Sequence, residues 1–420
     1  MMGPIVLFDK SFLQSLSVDE SVWFDHFFLS NICPLFYVET LADLQKNVKE
    51  GRTVEQEVAI IASKFPEMSG WPCAHHVALC TANLAGHAVA MTGQVPIAGG
   101  QPVRLSGKRG VVFRDSPEAE AFRRWQQGEF MEIERLYAAA WRQQLSSLDL
   151  REAGKLLQAM GMDVSTCKSL EDAKGLAADR INIRYRPIDI MKLSHLFLGT
   201  PWESRDRLFA GWRKAVFPSL ARYAPYASFV LTVELFFQIA LASQNISSER
   251  ASNRVDIAYL LYLPFCMVFV SSDRLHRRCA PLFLRSDQEF VWGPTLKKDL
   301  SKLNEHYAKL PDSVKEKGIH AFAGAPPEDG EFLVARLWDR YMRRWRGRQK
   351  EAAEHPPSPE RTHQLVKRLK EFQDAPTVPA DAAYANPQNI DMMSLNHYVT
   401  KRKGSWWQVP KDLDVPNDQM

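Results

Sequence analysis

The stretch "IVLFDKSFLQSLS", from Ile5 to Ser17, places a carboxylate where a buried strand meets a helix. Ile5 to Phe8 is a run of four apolar residues, which predicts a short strand inside a sheet. Asp9 follows directly, Ser11 stands two residues later, and apolar residues at helical spacing predict a helix over Lys10 to Leu16. Whether Asp9 does more than begin this helix depends on whether distant carboxylates stand at similar junctions.

Three further acidic residues stand at such places. Glu39 follows the apolar, β-favouring run from Ile32 to Val38 and is predicted to open a helix. Asp273 comes just after the continuous apolar run from Cys266 to Val270, which predicts a buried strand of the parallel kind. Asp256 is predicted to begin the short helix that precedes this strand. The sequence therefore predicts four carboxylates near strand ends.

In an open parallel sheet, the carboxyl ends of the strands gather along one edge, and ligands bind there. Four carboxylates at that edge would repel one another, so we expect at least one of them to have a raised pKa when no cation is present. Carboxylate oxygens at that density favour Mg²⁺ or Mn²⁺. Such a site suits metal-activated attack of water on a phosphodiester.

The four junctions together resemble the PIN-domain family of metal-dependent ribonucleases. The segment "LFDKSFL" is similar to the first strand of the family, "FYVETLADL" to its second acidic site, and "VDIAYLLYLPFCMVFVSSDRLHRR" to its third and fourth. The matching acidic residues are Asp9, Glu39, Asp256 and Asp273. Ser11 follows the first by two positions and Ser271 precedes the last by two. The resemblance covers roughly residues 1–45 and 226–295.

The resemblance implies an α/β fold with a PIN-like three-layer α/β/α core and a parallel sheet. It implies that Asp9, Glu39, Asp256 and Asp273 hold Mg²⁺ or Mn²⁺ and carry the catalysis. Ser11 and Ser271 would support these acids through hydrogen bonds. The activity implied is that of an endoribonuclease-like hydrolase that leaves a 5′-phosphate, with RNA favoured over DNA as the substrate.

The domain organisation follows from where the resemblance stops. Residues 1–45 are predicted to form the first part of the core, and 226–300 the second part. Residues 46–225 form a mainly helical insertion with a small β element, since "GHAVAMTGQVPIAGGQPVRLSGKRGVVF" alternates and is rich in glycine. The short segment "EFVWG" predicts one more strand of the core. Residues 301–420 are expected to form a helical, basic C-terminal extension.

Composition places the chain among ordinary globular proteins. It has 420 residues, of which 45% are apolar and 24% charged, and a net charge of +4 that permits a polyanionic partner without requiring one. Six cysteines without a CxxC pair favour a reducing, cytoplasmic setting. The most apolar stretch, Tyr226 to Ser243, contains Glu234 and Gln238 and is predicted to be a buried helix, with no membrane partner.

The segment "LWDRYMRRWRGRQK" is the densest basic stretch. Three arginines at helical spacing are predicted to meet RNA phosphates along one face, namely Arg340, Arg344 and Arg348. Aromatic residues would lie along another face, namely Trp338, Tyr341 and Trp345. The alternative is an amphipathic helix whose aromatic residues lie in the core and whose arginines are solvated.

Each acidic residue also has a structural alternative. Asp9 and Asp256 could cap helices, Glu39 could interact with a helix dipole, and Asp273 could form an Asx-turn. At the level of function, the alternative to a nuclease is a non-catalytic PIN-fold scaffold or a nucleic-acid-binding module. A protein partner or a homo-oligomer through the insertion or the C-terminal region stays open.

Overall fold

The computed structural model describes residues 3–46, 51–159, 161–182, 187–200, 202–328, 331–342, 345–346, 358–378 and 391–413. The strands are β1 (Ile5–Phe8), β2 (Leu29–Ile32), β3 (Gly70–Pro72), β4 (Gln101–Leu105), β5 (Lys108–Phe113), β6 (Val268–Ser271), β7 (Glu289–Trp292), β8 (Met392–Leu395), β9 (Arg402–Lys403) and β10 (Trp406–Trp407).

The α-helices in the first half of the chain are α1 (Lys10–Ser15), α2 (Val18–Phe27), α3 (Pro34–Leu41), α4 (Val54–Ala62), α5 (His76–Leu84), α6 (Pro117–Gln126), α7 (Glu132–Ser146), α8 (Ala153–Ala159), α9 (Leu170–Asn182) and α10 (Pro187–Leu198). Those in the second half are α11 (Arg205–Lys214), α12 (Leu220–Tyr223), α13 (Pro225–Ala242), α14 (Asn253–Tyr259), α15 (Arg274–Phe283), α16 (Gly293–Ala308), α17 (Asp312–Lys315), α18 (Ile319–Phe322), α19 (Leu333–Tyr341) and α20 (Pro359–Gln373).

Five strands form one parallel sheet in the order β3-β2-β1-β6-β7. Every residue of β1, β2 and β6 is buried. Successive side chains of a strand point to opposite faces, so both faces of the sheet are covered. This arrangement confirms the predicted α/β class with a parallel sheet. It includes the strand predicted in the first part of the core, β1, and those predicted in the second part, β6 and β7.

The strand order creates a reversal point beside the first strand. The chain runs outward from β1 through β2 to β3, and later returns to the other side of β1 as β6. In open α/β sheets, ligands bind in the crevice outside the carboxyl ends of the strands at such a point. We call this region the carboxyl edge. It consists of Asp9, directly after β1, and of Ser271 to Asp273, at the end of β6.

The second strand lies earlier than the sequence predicts. A strand over Ile32 to Val38 is wrong, because β2 ends at Ile32 and Pro34 is the first residue of α3. Proline suits the first position of a helix, where its missing N–H would have no partner and its φ is already helical. Glu39 consequently lies inside α3 and does not open it.

The segment predicted as an insertion supplies a strand of the core sheet. Ser30 of β2 lies opposite Gly70 of β3, and Ile32 lies opposite Pro72. A strand of three residues that contains glycine and proline carries no alternating pattern, which explains why the sequence did not indicate it. The glycine-rich part of the same segment does form the predicted small β element, as the hairpin of β4 and β5.

Helix α13 is the buried apolar helix that the sequence predicts. Among the described residues, it is the helix long and apolar enough to be a candidate for a membrane span, and 72% of that span is buried inside the protein. Its acidic residue, Glu234, pairs with Arg254 of α14 at 2.8 Å. The six cysteines are free and buried.

The predicted basic helix ends early. α19 stops at Tyr341, because Met342 has an extended backbone with φ −109° and ψ 100°. The helix that contains Arg340 therefore does not continue past Tyr341. Arg344 and Arg348 lie outside the described residues, so the arginine face stays a prediction. Arg340 itself pairs with Glu289 at 3.4 Å. The tryptophans of the segment, Trp338 and Trp345, are buried, as the structural alternative predicts.

Candidate functional site

Asp9 is fixed by three donors at the carboxyl edge. Its Oδ1 accepts the backbone N–H of Phe12 at 3.0 Å, so it caps α1. Its Oδ2 accepts the hydroxyls of Ser11 at 2.5 Å and Ser271 at 2.9 Å. The cap and the site are thus the same side chain, and the two serines that the sequence singled out both orient this carboxylate.

The hydrogen bonds around Ser271 fix the protonation of His276. Ser271 donates its one hydroxyl hydrogen to Asp9, so its oxygen accepts the Asp273 N–H at 2.9 Å and the Nδ1–H of His276 at 2.7 Å. The other ring nitrogen, Nε2, lies 2.6 Å from the carbonyl oxygen of Asp256 and must donate to it. A histidine that donates from both nitrogens is an imidazolium.

The electrostatics agree with this assignment. Burial acts to lower the pKa of His276. The neighbouring Asp9 carboxylate acts in the opposite direction, and the pKa is raised overall, to about 9. The reciprocal effect holds for Asp9: burial acts to raise its pKa, and the charge of His276 with the hydrogen bonds brings it below the usual range. His276 therefore places a buried positive charge beside the acidic residues, with Nδ1 3.7 Å from Asp9 Oδ2.

Asp273 lies directly after β6 and caps α15. Its Oδ1 accepts the backbone N–H groups of Leu275 at 2.6 Å and His276 at 3.3 Å. These bonds hold the carboxylate at the start of the helix, as the Asx-turn alternative anticipates. Oδ1 accepts both bonds, and among the residues that the structure describes no hydrogen bond or ion pair reaches Oδ2.

Asp256 differs from the other three acids because its carboxylate makes no hydrogen bond or ion pair to any residue that the structure describes. It lies in the first turn of α14, whose N-cap is Ser252, so a capping role for Asp256 is wrong. Burial raises its pKa to about 7; the charge of His276 opposes this rise, and the charges of Asp273, Glu39 and Asp9 add to it. All four predicted acids are thus close enough to influence one another.

Glu39 faces the same group from α3 but has partners of its own. Its Oε2 accepts the hydroxyl of the buried Tyr259 at 2.8 Å, and its Oε1 lies 3.6 Å from the Nζ of Lys10. Lys10 is itself held by Asp43, at 3.0 Å from both carboxylate oxygens. Arg142 of α7 also reaches Asp43, at 3.2 Å, so the inserted segment contacts the site from this side.

The donor set fits a hard divalent cation in its chemistry, since it offers four carboxylates, one of them without a partner. Within the described ranges, however, no three His, Cys, Asp or Glu side chains are grouped closely enough to hold a metal ion. Asp9, Asp273 and Glu39 are each held by donors of the protein. Asp256 is the acid that has no such partner among the described residues.

Sequence reasoning missed the cations of the site. His276 stands three residues after Asp273, and Lys10 directly follows Asp9, so both were visible next to the predicted acids. A rule that looks for a compensating charge beside each buried carboxylate would have selected Lys10, and would have offered His276 together with the arginines around it. Tyr259, three residues after Asp256, carries no comparable signal, because a tyrosine in an apolar run is an ordinary core residue.

Comparison with known proteins found no match: no model of a protein family, no curated protein and no solved structure is significantly similar to the chain.

Proposed function

We propose that this protein is a Mg²⁺- or Mn²⁺-dependent nuclease with a PIN-like core, which hydrolyses phosphodiester bonds in RNA in preference to DNA. The observation that carries the proposal is Asp256, a partly buried carboxylate with no partner among the described residues and with a pKa raised to about 7. It stands at the reversal point of a parallel sheet, where ligands bind in such folds.

The proposed roles follow from the contacts. Asp9, Asp256 and Asp273, with Glu39 beside them, would hold the cation, which when bound would activate water and offset negative charge on the phosphate. Ser11 and Ser271 keep the Asp9 carboxylate in one orientation.

His276 offsets part of the negative charge, which lets the acids stand together before a cation arrives. Its Nε2–H ties α15 to the Asp256 carbonyl at 2.6 Å and thereby fixes the separation of the two segments that carry Asp256 and Asp273. His276 is in this account a positioning residue, since its ring nitrogens are both engaged by the protein.

A second candidate function is a non-catalytic scaffold or a nucleic-acid-binding module of the same fold. The observation that favours it is the engagement of Glu39 by Tyr259 and Lys10, which leaves this carboxylate satisfied without a cation. A site kept for structure alone would have all of its acids satisfied in this way. Asp256 is the exception that favours catalysis.

The test is cleavage of single-stranded RNA by the purified protein with Mg²⁺ or Mn²⁺, and with EDTA. We expect metal-dependent cleavage by the wild type and a loss of about a hundredfold or more for Asp256→Asn, because removing one ligand charge weakens the cation that the reaction needs. Asp312→Asn is the matched control, since Asp312 is 88% exposed and stands on α17. Equal metal-dependent cleavage by the wild type and Asp256→Asn, or no cleavage by either, would overturn the proposal.

A further inference from the structure

A surface pocket of about 150 Å³ lies between the loop that follows α13 and the start of α15. This is roughly ten times the space that one water molecule needs. Three of its lining residues are arginines, namely Arg250, Arg274 and Arg278, and none of the described residues that line it is acidic. All three arginine side chains are exposed. We call this feature the arginine pocket.

Among the described residues, no acidic side chain forms an ion pair with an arginine of the arginine pocket. Arg250 and Arg274 form no ion pair with a residue in the described ranges, and Arg278 donates to the backbone carbonyl of Asn245 at 3.0 Å. The nearest acidic residue of the loop in sequence, Glu249, pairs with Arg151 at 2.9 Å.

The arginine pocket adjoins the carboxyl edge. Arg274 follows Asp273 directly, and Arg278 lies one turn further along the same face of α15. On the other side, Asn253 lines the pocket from α14, one turn before Asp256. The bond from His276 to the Asp256 carbonyl, at 2.6 Å, holds these two helices together. Acidic and basic groups therefore stand side by side on the same two elements.

We infer that the arginine pocket binds a backbone phosphate of the RNA strand, next to the phosphodiester that lies at the carboxyl edge. The choice of RNA as the ligand rests on the proposed function. The acids of the carboxyl edge repel a polyanion, so the RNA needs a positively charged binding site nearby to be held there. Arginine supplies it with a planar fork of donors that matches the oxygens of a phosphate.

The inference is tested by RNA binding without cleavage. Fluorescence anisotropy of a labelled single-stranded RNA, measured in EDTA at several KCl concentrations, gives the affinity and its salt slope. For Arg250→Gln/Arg274→Gln/Arg278→Gln, we expect binding to weaken by roughly tenfold to a hundredfold and the salt slope to fall by about 0.7, since the pocket is inferred to hold one phosphate and each phosphate contact on a single strand contributes about 0.7. The single variant Arg274→Glu tests the same pocket with one change.

Arg277→Gln is the matched control, because Arg277 is exposed on the same helix but stacks over Trp292, outside the pocket. It should bind RNA like the wild type. Asp256→Asn should bind RNA at least as well as the wild type even if it cleaves nothing, so failure of catalysis does not mimic failure of this inference. Unchanged affinity and salt slope in the triple variant, or displacement of RNA by inorganic phosphate at equal phosphate concentration, would overturn it.

Discussion

Burial raises the pKa of the Asp256 carboxyl to about 7 in the folded protein, against 3.8 for an ordinary aspartate. A raised pKa means that the folded state binds the proton more tightly than the unfolded state does. The corresponding stability is present at low pH and is lost as the pH rises from about 4 to about 7. Asparagine at this position has the shape of the protonated acid and does not ionise.

We therefore predict that Asp256→Asn, without added metal, melts at a higher temperature than the wild type. The difference should grow from about pH 4 to about pH 7 and level off above that, reaching a few degrees. Calorimetry or circular dichroism across this pH range measures it. A variant that melts below the wild type at pH 8 would identify Asp256 as a structural acid and remove the main support for a cation site.

At the scale of residues, the sequence predicted the acids and the two serines but not their counter-charges. The acids could be found because a carboxylate directly after an apolar run stands out, and Ser11 and Ser271 because they flank the outer two. His276 could not be distinguished from its arginine neighbours by pattern alone. Its role depends on the approach of α15 to α14, which is a tertiary contact that local sequence does not encode.

At the scale of elements, the strands next to the site differ in how well the sequence reports them. β1 and β6 are continuous apolar runs, so the sequence predicted both. β2 reads "LSNI", whose buried Ser30 and Asn31 hide the apolar pattern. Asn31 is held by donating to the carbonyl of Phe265 at 2.9 Å, a contact that only the folded sheet supplies. β3 is shorter still and contains glycine and proline.

The close approach of β3 to β2 gives a test of this element. A Cβ added at Gly70 would lie 2.4 Å from the Pro66 carbonyl oxygen and 2.6 Å from Cδ1 of Ile32. Gly70→Ala should therefore lower the free energy of unfolding by about 1–3 kcal/mol or more, because the backbone oxygen cannot move away cheaply.

The matched control is Gly175→Ala in α9, where a Cβ would meet nothing within 4 Å. Alanine suits a helix interior better than glycine, so this variant should gain roughly 0.5–1 kcal/mol. Urea unfolding measures both changes. If Gly70→Ala were as stable as the wild type, β3 would not pack against β2 as described.

At the scale of the whole molecule, the segments that the sequence divides into core, insertion and extension are built into one another. Residues of the C-terminal region enter the core: Trp406 packs against Trp23 with ring centroids 4.7 Å apart, and both indole N–H groups donate to Asn304. Lys403 reaches back to the carbonyl of Phe65 in the segment that precedes β3. Changes in residue composition along the chain suggest domain boundaries, but they do not indicate such long-range packing.

The same interleaving assembles the carboxyl edge from distant parts of the chain. Asp9 and Ser271 are 262 residues apart in the chain and 2.9 Å apart in space. The parallel pairing of β1 with β6 brings them together, with Phe8 opposite Val270 in the last register position. The central claim is that this assembly exists to hold a cation, with Asp256 as the ligand that awaits it.

Anomalous diffraction from crystals of the protein grown with Mn²⁺ tests that claim most directly. The account predicts a Mn²⁺ peak at coordinating distance from the Asp256 carboxylate and from Asp9 or Asp273, and the loss of this peak in Asp256→Asn. A Mn²⁺ ion bound only at other residues, or no ion at the carboxyl edge at millimolar Mn²⁺ and neutral pH, would contradict it.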